Sequence, residues 1–198
     1  MKVIHLVRHG EVANPNHVVY ADLPGFSLSP KGVLQAHRTG RHLREQPIDA
    51  VVSSPLQRAQ ETATAIVRHH DVQIQLDQRL IESGQYPEWT GLRWDDVHDR
   101  FSDQIGTYLA DATKLDDVQE TVDDIARRTA AAALEILDQG ASTVVLVSHQ
   151  DPVNAAFLHL SGGDLSSLRI DPPAHASVVT LRGDRSGWAH VGTWEPDQ

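Results

Sequence analysis

Three short runs of apolar, mostly β-branched residues constrain the fold more than any other feature of this sequence. They are residues 3–7, 50–53 and 143–148. Each is too short for a helix and is followed, directly or after a loop, by apolar residues at helical spacing. Each run therefore predicts a buried strand that leads into a helix. Strands that alternate with helices in this way indicate an α/β protein with a mostly parallel central sheet.

Three predicted helices begin at a short polar residue followed by proline, a pattern typical of helix N-termini. Two further strands near the C-terminus, joined by a glycine-rich turn, predict a hairpin that makes the sheet mixed. The predicted helix starts are Ser29-Pro30, Ser54-Pro55 and Asp151-Pro152, a long helix is predicted over about 117–139, and the hairpin strands are predicted over 177–181 and 189–193, with the turn at 183–187.

Together these elements predict a three-layer α/β/α sandwich with a mostly parallel, mixed central sheet. No repeat, low-complexity segment or linker divides the 198 residues, so we expect a single domain over 1–198. From about 71 to 114 the apolar pattern loosens, and only short helical pieces are expected there. We interpret 83–116 as an insertion that covers one end of the sheet, where ligands of such sheets bind.

The charge balance and the residue inventory exclude several classes of function. With 17 Lys and Arg against 27 Asp and Glu, the formal net charge is −10, which disfavours binding to nucleic acids or anionic membranes. The absence of cysteine excludes disulfides, thiolate metal sites and cysteine nucleophiles. No apolar run reaches the roughly 18 residues that span a bilayer, and the first ten residues do not resemble a secretory signal. We therefore expect a cytoplasmic protein, whose oligomeric state the sequence does not indicate.

Polar, mostly basic side chains follow three of the predicted strands. Arg8 and His9 follow the first strand, Arg58 lies one turn into the helix after the second, and His149 follows the third. Because the carboxyl ends of parallel strands meet at one edge of a sheet, these two guanidiniums and two imidazoles are expected to converge. That combination predicts an anion site with phosphate as its ligand. The histidines on the predicted helices lack a third ligand at metal spacing, so no metal site is expected.

The segments around these residues resemble the histidine phosphatase superfamily, in its phosphoglycerate mutase-like branch. Residues 6–11 (LVRHGE) resemble the signature of that family, and residues 53–63 (SSPLQRAQETA) are similar to its second motif over eleven positions. Further segments match in the same order, so the resemblance covers residues 3 to about 155. They are LSPKG at 28–32, LIE at 80–82 followed by WTG at 89–91, and VSH at 147–149.

The resemblance implies a role for each of these residues. His9 would be the nucleophile that forms a phosphohistidine, and Glu82 would protonate the leaving oxygen and then activate water. Arg8, Arg58 and His149 would bind the non-bridging oxygens of the phosphoryl group. The two guanidiniums would also favour the neutral, nucleophilic form of His9 by like-charge repulsion. No metal or cofactor is implied, since the cationic side chains stabilise the charge that develops during transfer.

Several assignments leave alternatives open. Asp77 and Glu88 rival Glu82 as the acid, since the chain has 27 acidic residues. The asparagine that often follows the first motif in the family has two candidates, and Asn14 is preferred over Asn16 as a phosphate ligand.

The residues next to His9 and His149 are interpreted as follows. Glu11, next to the nucleophile, is interpreted as structural. After the second histidine, Gln150-Asp151-Pro152 stands where the family often has glycines. We interpret Asp151 as the cap of the following helix, and a carboxylate close to phosphate would also narrow the range of substrates.

The expected function is that of a phosphomonoesterase acting on a small-molecule phosphate. A cofactor-dependent phosphoglycerate mutase is an alternative, which is disfavoured because Arg93 and Arg100 are isolated where such mutases have clustered bases. A non-catalytic phosphoester-binding module is a third, which is disfavoured because the candidate nucleophile and acid are both present. The substrate stays unidentified. The loop 13–26 and the insertion would set specificity, with Tyr20, Phe26, Trp89 and Trp94 as candidate walls of the pocket.

Overall fold

One mixed sheet of six strands forms the centre of the computed structural model, which describes residues 1–184 and 186–196. The strands are β1 (Lys2–Arg8), β2 (Ala50–Ser53), β3 (Ile74–Leu76), β4 (Thr143–Ser148), β5 (Val178–Asp184) and β6 (Gly187–Trp194). Their spatial order is β3-β2-β4-β1-β5-β6. The first four in that order are parallel, whereas β5 runs antiparallel to β1 and β6 antiparallel to β5. The predicted hairpin is therefore present, although Arg185 in its turn lies outside the described residues.

Helices cover both faces of this sheet. They are α1 (Pro30–Leu43), α2 (Gln57–Val67), α3 (Trp94–Arg100), α4 (Ser102–Asp111), α5 (Val122–Asp138) and α6 (Gln150–Ser161). Successive side chains of a strand point to opposite faces, and the buried clusters follow this alternation in β4. Val145 and Val147 pack with residues of α1 and α2, whereas Val144 and Leu146 pack with residues of α5 and α6. The predicted three-layer α/β/α sandwich is confirmed.

The register of the parallel strands brings three strand ends to one edge. Arg8, the last residue of β1, is opposite Ser148, the last residue of β4. Ser53, the last residue of β2, is opposite Val147. The residues that follow these strands therefore lie next to one another, as expected for a parallel sheet.

The segment 83–116 contains two short 3-10 turns, Pro87–Trp89 and Ala112–Lys114, and the helices α3 and α4. Its apolar side chains, with Trp89, Val97 and Ile105 among them, form a buried cluster with Ile125 of α5 and with Leu168. This cluster holds the segment against the helices on one face of the sheet. None of the helices in the described residues is long and apolar enough to cross a lipid bilayer.

The structure corrects the predicted starts of two helices. α2 begins at Gln57 with Leu56 as its N-cap, and the Ser54 hydroxyl bonds to the N–H of Leu56 and to His149. The long helix begins at Val122 and not near 117, because Thr121 and Asp124 form a reciprocal capping box.

Two further predictions about local structure were wrong. Asp151 does not cap α6: the N-cap is His149, without a side-chain bond, and the Asp151 carboxylate instead contacts Tyr108 and Arg169. The short edge strand β3 was missed, because its three residues Ile74–Leu76 include two exposed positions and show no apolar run.

The loop after β1 packs closely against the backbone of the first turn of α1. A Cβ added to Gly10 would lie 2.6 Å from the carbonyl oxygen of Gly32, and one added to Gly32 would lie 2.0 Å from that of Glu11. Only glycine at both positions allows this approach. The contact fixes the chain that immediately follows His9.

We predict opposite stability effects for two glycine-to-alanine changes in helices. Gly32→Ala should lower the free energy of unfolding by about 1–3 kcal/mol, because its methyl group meets backbone that cannot yield. Gly106→Ala is the matched control: no atom lies within 4 Å of its added Cβ, so the helix propensity of alanine should raise stability by about 0.5–1 kcal/mol. Urea unfolding of both variants measures the two changes, and stabilisation by Gly32→Ala would contradict the backbone contact.

Candidate active site

His9 lies directly after β1 and is almost completely buried, with 1% of its surface exposed. Its backbone N–H donates to the carbonyl of Ser148 at 2.9 Å, and the next N–H donates to the Thr62 hydroxyl at 3.1 Å. The ring Nδ1 lies 2.7 Å from the carbonyl oxygen of Gly10. Since a carbonyl only accepts, Nδ1 carries the proton and Nε2 carries a lone pair.

The fully buried guanidinium of Arg58 lies between two imidazoles. Its Nε is 3.3 Å from His9 Nε2 and 3.2 Å from His149 Nδ1, and Nη2 donates to the carbonyl of Ala21 at 2.6 Å. The Tyr20 ring lies 4.7 Å from the guanidinium carbon. Arg58 therefore connects the two histidines to the loop that follows the first motif.

His149 contacts His9 edge-on, with ring centroids 5.1 Å apart. Because its Nδ1 accepts from Arg58, the ring proton is on Nε2, which donates to the Ser54 hydroxyl at 2.8 Å. The structure thus brings His149 into the same cluster as His9 and Arg58. Both of its ring nitrogens bond within the protein, so a direct contact between His149 and phosphate stays a prediction.

Both histidines of this cluster are held in the neutral form. Burial lowers the pKa of His9 well below the usual 6.5, and the charges of Arg58 and Arg8 lower it further. Burial and the charge of Arg58 act in the same direction on the pKa of His149. The neutral imidazole, whose unprotonated nitrogen carries a lone pair, is the nucleophilic form.

Arg8 is anchored by a loop that the sequence motifs did not indicate. Its Nη1 donates to the carbonyl of Pro173 at 2.8 Å, and its Nη2 lies 2.9 Å from Nε2 of His175. Burial, and then the charge of Arg8, lowers the pKa of His175 to about 4, so this ring accepts from the guanidinium. The predicted hairpin could have indicated this contact. Because β5 runs antiparallel to β1, the loop before β5 lies at the edge of the sheet where β1 ends.

A cavity of about 300 Å³ opens beside this cluster. Arg8 and Glu82 line it, together with residues from 18–21, 83–94 and 150–151 and with Tyr108, Arg169 and His175. Of the four predicted aromatic walls, three line the cavity, whereas Phe26 stacks on Tyr20 with ring centroids 5.1 Å apart. Arg58 lies behind this lining, since it contacts Tyr20 and the carbonyl of Ala21.

The chain before Glu82 is fixed by hydrogen bonds to its backbone. Arg128 of α5 donates to two carbonyls of the preceding residues at 2.6 and 2.8 Å, and the Ser148 hydroxyl donates to the carbonyl of Leu80 at 2.6 Å. These bonds hold Glu82 at the edge of the sheet where β1 and β4 end.

The carboxyl of Glu82 binds its proton unusually tightly. Burial, followed by the charge of Asp151, raises its pKa from 4.5 to about 7, against the opposing effects of Arg58, Arg8 and a hydrogen bond from the backbone of Ser83. The group is therefore close to half protonated at neutral pH, as suits a side chain that first gives and then takes a proton.

The rival acids lie elsewhere. Asp77 forms an ion pair with Arg79 at 2.6 Å, and Glu88 is exposed. Glu11 accepts from the Ser29 hydroxyl at 2.8 Å, which fits its interpretation as structural. In the part of the chain that the structure describes, none of these three lines the cavity.

The structure does not bring the predicted asparagine to the cavity. The side chain of Asn14 donates to the carbonyl of Val18 at 2.9 Å and accepts from its N–H at 3.1 Å, so it closes a turn. Asn16 is exposed. Phosphate binding by Asn14 stays a prediction.

Three buried guanidinium nitrogens have no hydrogen-bond partner within the described residues. They are Nε of Arg8, Nη1 of Arg58 and Nε of Arg169. Buried polar groups are normally paired, so an unpaired cluster of donors needs an explanation. An oxyanion in or beside the cavity would provide the missing acceptors.

Arg169 and its partners are the main part of the site that the sequence did not predict. Arg169 Nη1 donates to Asp151 Oδ1 at 2.8 Å, and the Tyr108 hydroxyl donates to Asp151 Oδ2 at 2.7 Å. These residues come from α4, α6 and the loop before β5. No local sequence pattern indicates such a contact. The only sign was Asp151, which stands where the family often has glycine.

Within residues 1–184 and 186–196, no group of three or more His, Asp or Glu side chains is arranged to hold a metal ion.

Comparison with known proteins identifies the family to which the chain belongs. Residues 4–195 match the model of the histidine phosphatase superfamily (branch 1). The chain belongs to the histidine phosphatase superfamily. The resemblance predicted from the motifs is thereby confirmed.

Two curated relatives and one solved structure illustrate this membership. An uncharacterized protein of Mycobacterium tuberculosis, Rv0525, is 39% identical over 197 residues, which cover 92% of this chain and 91% of that protein. Phosphoserine phosphatase 1 of Hydrogenobacter thermophilus is 28% identical over 165 residues, which cover 82% and 78%. The mycobacterial glucosyl-3-phosphoglycerate phosphatase Rv2419c, solved with VO3, superimposes with a TM-score of 0.87 at 23% identity over 100% of both chains. This last likeness concerns the fold.

We predict that ionisation of Glu82 destabilises the folded protein. Its folded pKa of about 7 exceeds the unfolded 4.5, so the folded state binds more protons between these values and stability falls as the pH rises through them. Glu82→Gln should therefore raise the free energy of unfolding relative to wild type more at about pH 8 than at about pH 5, by at most about 3 kcal/mol.

Urea unfolding of wild type and Glu82→Gln at the two pH values measures this effect. The buried histidines change stability in the opposite direction over an overlapping pH range, so only the difference between the two proteins isolates Glu82. Glu88→Gln, which changes an exposed side chain, is the control. An equal stability difference at both pH values would contradict the raised pKa.

Proposed function

We propose that this protein is a phosphomonoesterase that hydrolyses a small-molecule phosphate through a phosphohistidine on Nε2 of His9. One observation carries the proposal: His9 is neutral with its lone pair on Nε2, next to buried guanidinium donors that lack acceptors. A nucleophile and an anion-binding group within one cluster are what phosphoryl transfer requires.

In the first step, the incoming phosphate offers an oxygen acceptor to Arg58 in place of Nε2 of His9, while Nδ1 of His149 continues to accept from Arg58. This frees the Nε2 lone pair of His9, which attacks phosphorus as the bond to the leaving oxygen breaks. Glu82, still protonated at neutral pH, gives its proton to that oxygen. Nδ1 keeps its proton and its bond to the carbonyl of Gly10, which stabilises the positive charge on the phosphorylated ring.

In the second step, water attacks the phosphohistidine. Glu82, now ionised, takes a proton from the water as the oxygen–phosphorus bond forms. The nitrogen–phosphorus bond breaks, and the lone pair returns to Nε2 of His9. Inorganic phosphate leaves and the protonated Glu82 is restored.

The guanidiniums supply the electrostatic stabilisation. The donors of Arg8 and Arg58 that lack partners would bind the non-bridging oxygens, and His149 would support this by accepting from Arg58 Nε. Preorganised cations of this kind stabilise the charge that develops in the transition state. We therefore include independence from metals and cofactors in the proposal. A cytoplasmic location and the absence of nucleic-acid or membrane partners stay predictions from the sequence.

We predict that enzyme quenched rapidly during turnover carries acid-labile, base-stable phosphate on His9. His9→Ala should abolish both the label and the activity. His149→Ala should slow turnover by on the order of 10²–10³-fold through the loss of support for Arg58, but it should keep the label, because Nε2 of His149 is bonded to Ser54. Full turnover by His9→Ala, or strict dependence on Mg²⁺ in chelator-treated protein, would contradict the mechanism.

We predict further that the enzyme releases phosphate and does not exchange it between hydroxyl groups. The segment 83–116 has isolated bases, and Arg169 is already paired with Asp151, so a bisphosphate intermediate lacks a second cationic site. Incubation with 3-phosphoglycerate and catalytic 2,3-bisphosphoglycerate is the measurement. Formation of 2-phosphoglycerate faster than phosphate release from every monophosphate tested would favour the mutase.

Glu82→Gln tests the role of Glu82 as the general acid, with phosphate release from alkyl and aryl phosphates as the measurement. It should slow hydrolysis of alkyl phosphates by on the order of 10²–10⁴-fold, the usual contribution of a general acid. The phosphorylation step with an aryl phosphate should be slowed less, because a phenolate leaves without protonation. Equal losses for alkyl and aryl esters in that step would contradict proton donation by Glu82.

A further inference from the structure

The cavity contains polar groups that the phosphoryl-transfer steps do not use. Gln85, Asp151 and Arg169 line it, together with the aromatic side chains of Tyr86 and Trp89. These groups are available to contact the part of the substrate that leaves as the alcohol. Their hydrogen-bonding state indicates what that alcohol carries.

Arg169 is already occupied by a carboxylate of the protein. Its Nη1 donates to Asp151 Oδ1 at 2.8 Å, and its guanidinium carbon lies 4.5 Å from the centre of the Tyr108 ring. The other carboxylate oxygen accepts from the Tyr108 hydroxyl at 2.7 Å. Asp151 is only 3% exposed, and its bonds from Tyr108 and, at 3.4 Å, from the Ser83 hydroxyl help to hold the ion pair in place.

A substrate carboxylate would either displace Asp151 from Arg169 or accept from the unpaired Nε of Arg169 next to Asp151. Displacement would leave the Asp151 carboxylate buried without its cation, which is strongly unfavourable. Binding without displacement would place two carboxylates close together, and ionised Glu82 would add a third negative charge. Like charges in a site of low dielectric repel strongly.

The charge balance of the site leads to the same conclusion. Arg8, Arg58 and Arg169 carry three positive charges, the histidines are neutral, and Asp151 carries one negative charge. With Glu82 protonated, two positive charges remain, and a phosphate dianion neutralises them. A carboxylate on the leaving group would add a negative charge with no cation left to balance it.

Gln85 indicates what the leaving group carries in place of a carboxylate. It is 4% exposed, and within the described residues neither its oxygen nor its nitrogen has a hydrogen-bond partner. An amide offers one acceptor and one donor group, which fits a hydroxyl that donates and accepts. The cavity volume of about 300 Å³ is at the lower end for small-molecule pockets, so the leaving group is compact.

We propose that the substrate is a phosphomonoester of a compact, neutral polyol, such as a glycerol or sugar phosphate, and that the Asp151–Arg169 pair rejects leaving groups that carry a carboxylate. This inference rests on the proposed function. It separates the chain from the phosphoserine phosphatase and the glucosyl-3-phosphoglycerate phosphatase that it resembles, because the substrates in both names carry a carboxylate.

The test uses two esters that differ at one carbon. Glycerol 3-phosphate and 3-phosphoglycerate are both primary alkyl phosphates, and a CH2OH group in the first replaces the carboxylate of the second. Wild type should show a higher kcat/KM for glycerol 3-phosphate, by on the order of 10- to 100-fold. Calorimetric Kd values with His9→Ala, which cannot turn over, should show the same preference.

Variants identify the residues responsible for this preference. Asp151→Asn keeps the size of the side chain but frees Arg169, so the preference should fall or reverse by on the order of 10- to 100-fold. Asp22→Asn is the matched control: it removes one negative charge close to Arg58 without affecting Arg169, and the preference should change by less than about 3-fold because an exposed charge is screened. Gln85→Leu should weaken binding of glycerol 3-phosphate by on the order of 10-fold, with a smaller effect on phenyl phosphate, which has no hydroxyl.

The outcomes separate this inference from the proposed function. If 4-nitrophenyl phosphate is not hydrolysed in a His9-dependent manner, the proposed function is wrong, whatever the binding preference. If it is hydrolysed, an equal or higher affinity for 3-phosphoglycerate would overturn the inference alone. An equal change of this preference in the Asp151→Asn and Asp22→Asn variants would also overturn the inference. The same holds if neither ester binds at concentrations where inorganic phosphate binds.

Discussion

The rest of the site depends on one interaction, the placement of the Arg58 guanidinium between two imidazoles. Burial of a charge is costly unless hydrogen bonds and an opposite charge compensate for it. Arg58 has hydrogen bonds to His9, His149 and the carbonyl of Ala21, but none of the ion pairs of the described residues includes it. Burial and, after it, the charge of Arg58 lower the pKa of both rings and so keep them neutral. Arg58 also gives the site one positive charge that no anion of the described residues balances. In the proposed mechanism, the same group would therefore activate His9 and favour phosphate binding.

The positions of these residues could be predicted from the sequence because they depend on strand ends. β1, β2 and β4 are short apolar runs that can be recognised locally, and parallel pairing then brings the residues after them together. His9, Arg58 and His149 were all placed in this way, and the family motifs added Glu82. The register supports this directly, since Arg8 is opposite Ser148 and Ser53 is opposite Val147.

What could not be predicted depends on contacts between segments distant in the sequence. Asp151 has the position and residue type of a helix cap, and only the approach of Tyr108 and Arg169 turns its carboxylate toward the cavity. His175 lies in a loop with no helical or strand pattern. β3 has three residues, too few for a periodicity to show. In each case the local pattern was silent or favoured another role, and tertiary contacts determined the outcome.

Asp151 also links the acid to the leaving group. Its charge helps to raise the pKa of Glu82 to about 7, which costs stability but keeps a proton available at neutral pH. An alkoxide from a polyol is a poor leaving group and needs that proton, unlike a phenolate. In the proposed mechanism, the carboxylate that pairs with Arg169 and would disfavour a charged leaving group also raises the pKa of Glu82, the group that would protonate the leaving oxygen of the polyol. Both effects depend on the buried position of the Asp151 carboxylate, which its bonds to Arg169 and Tyr108 fix.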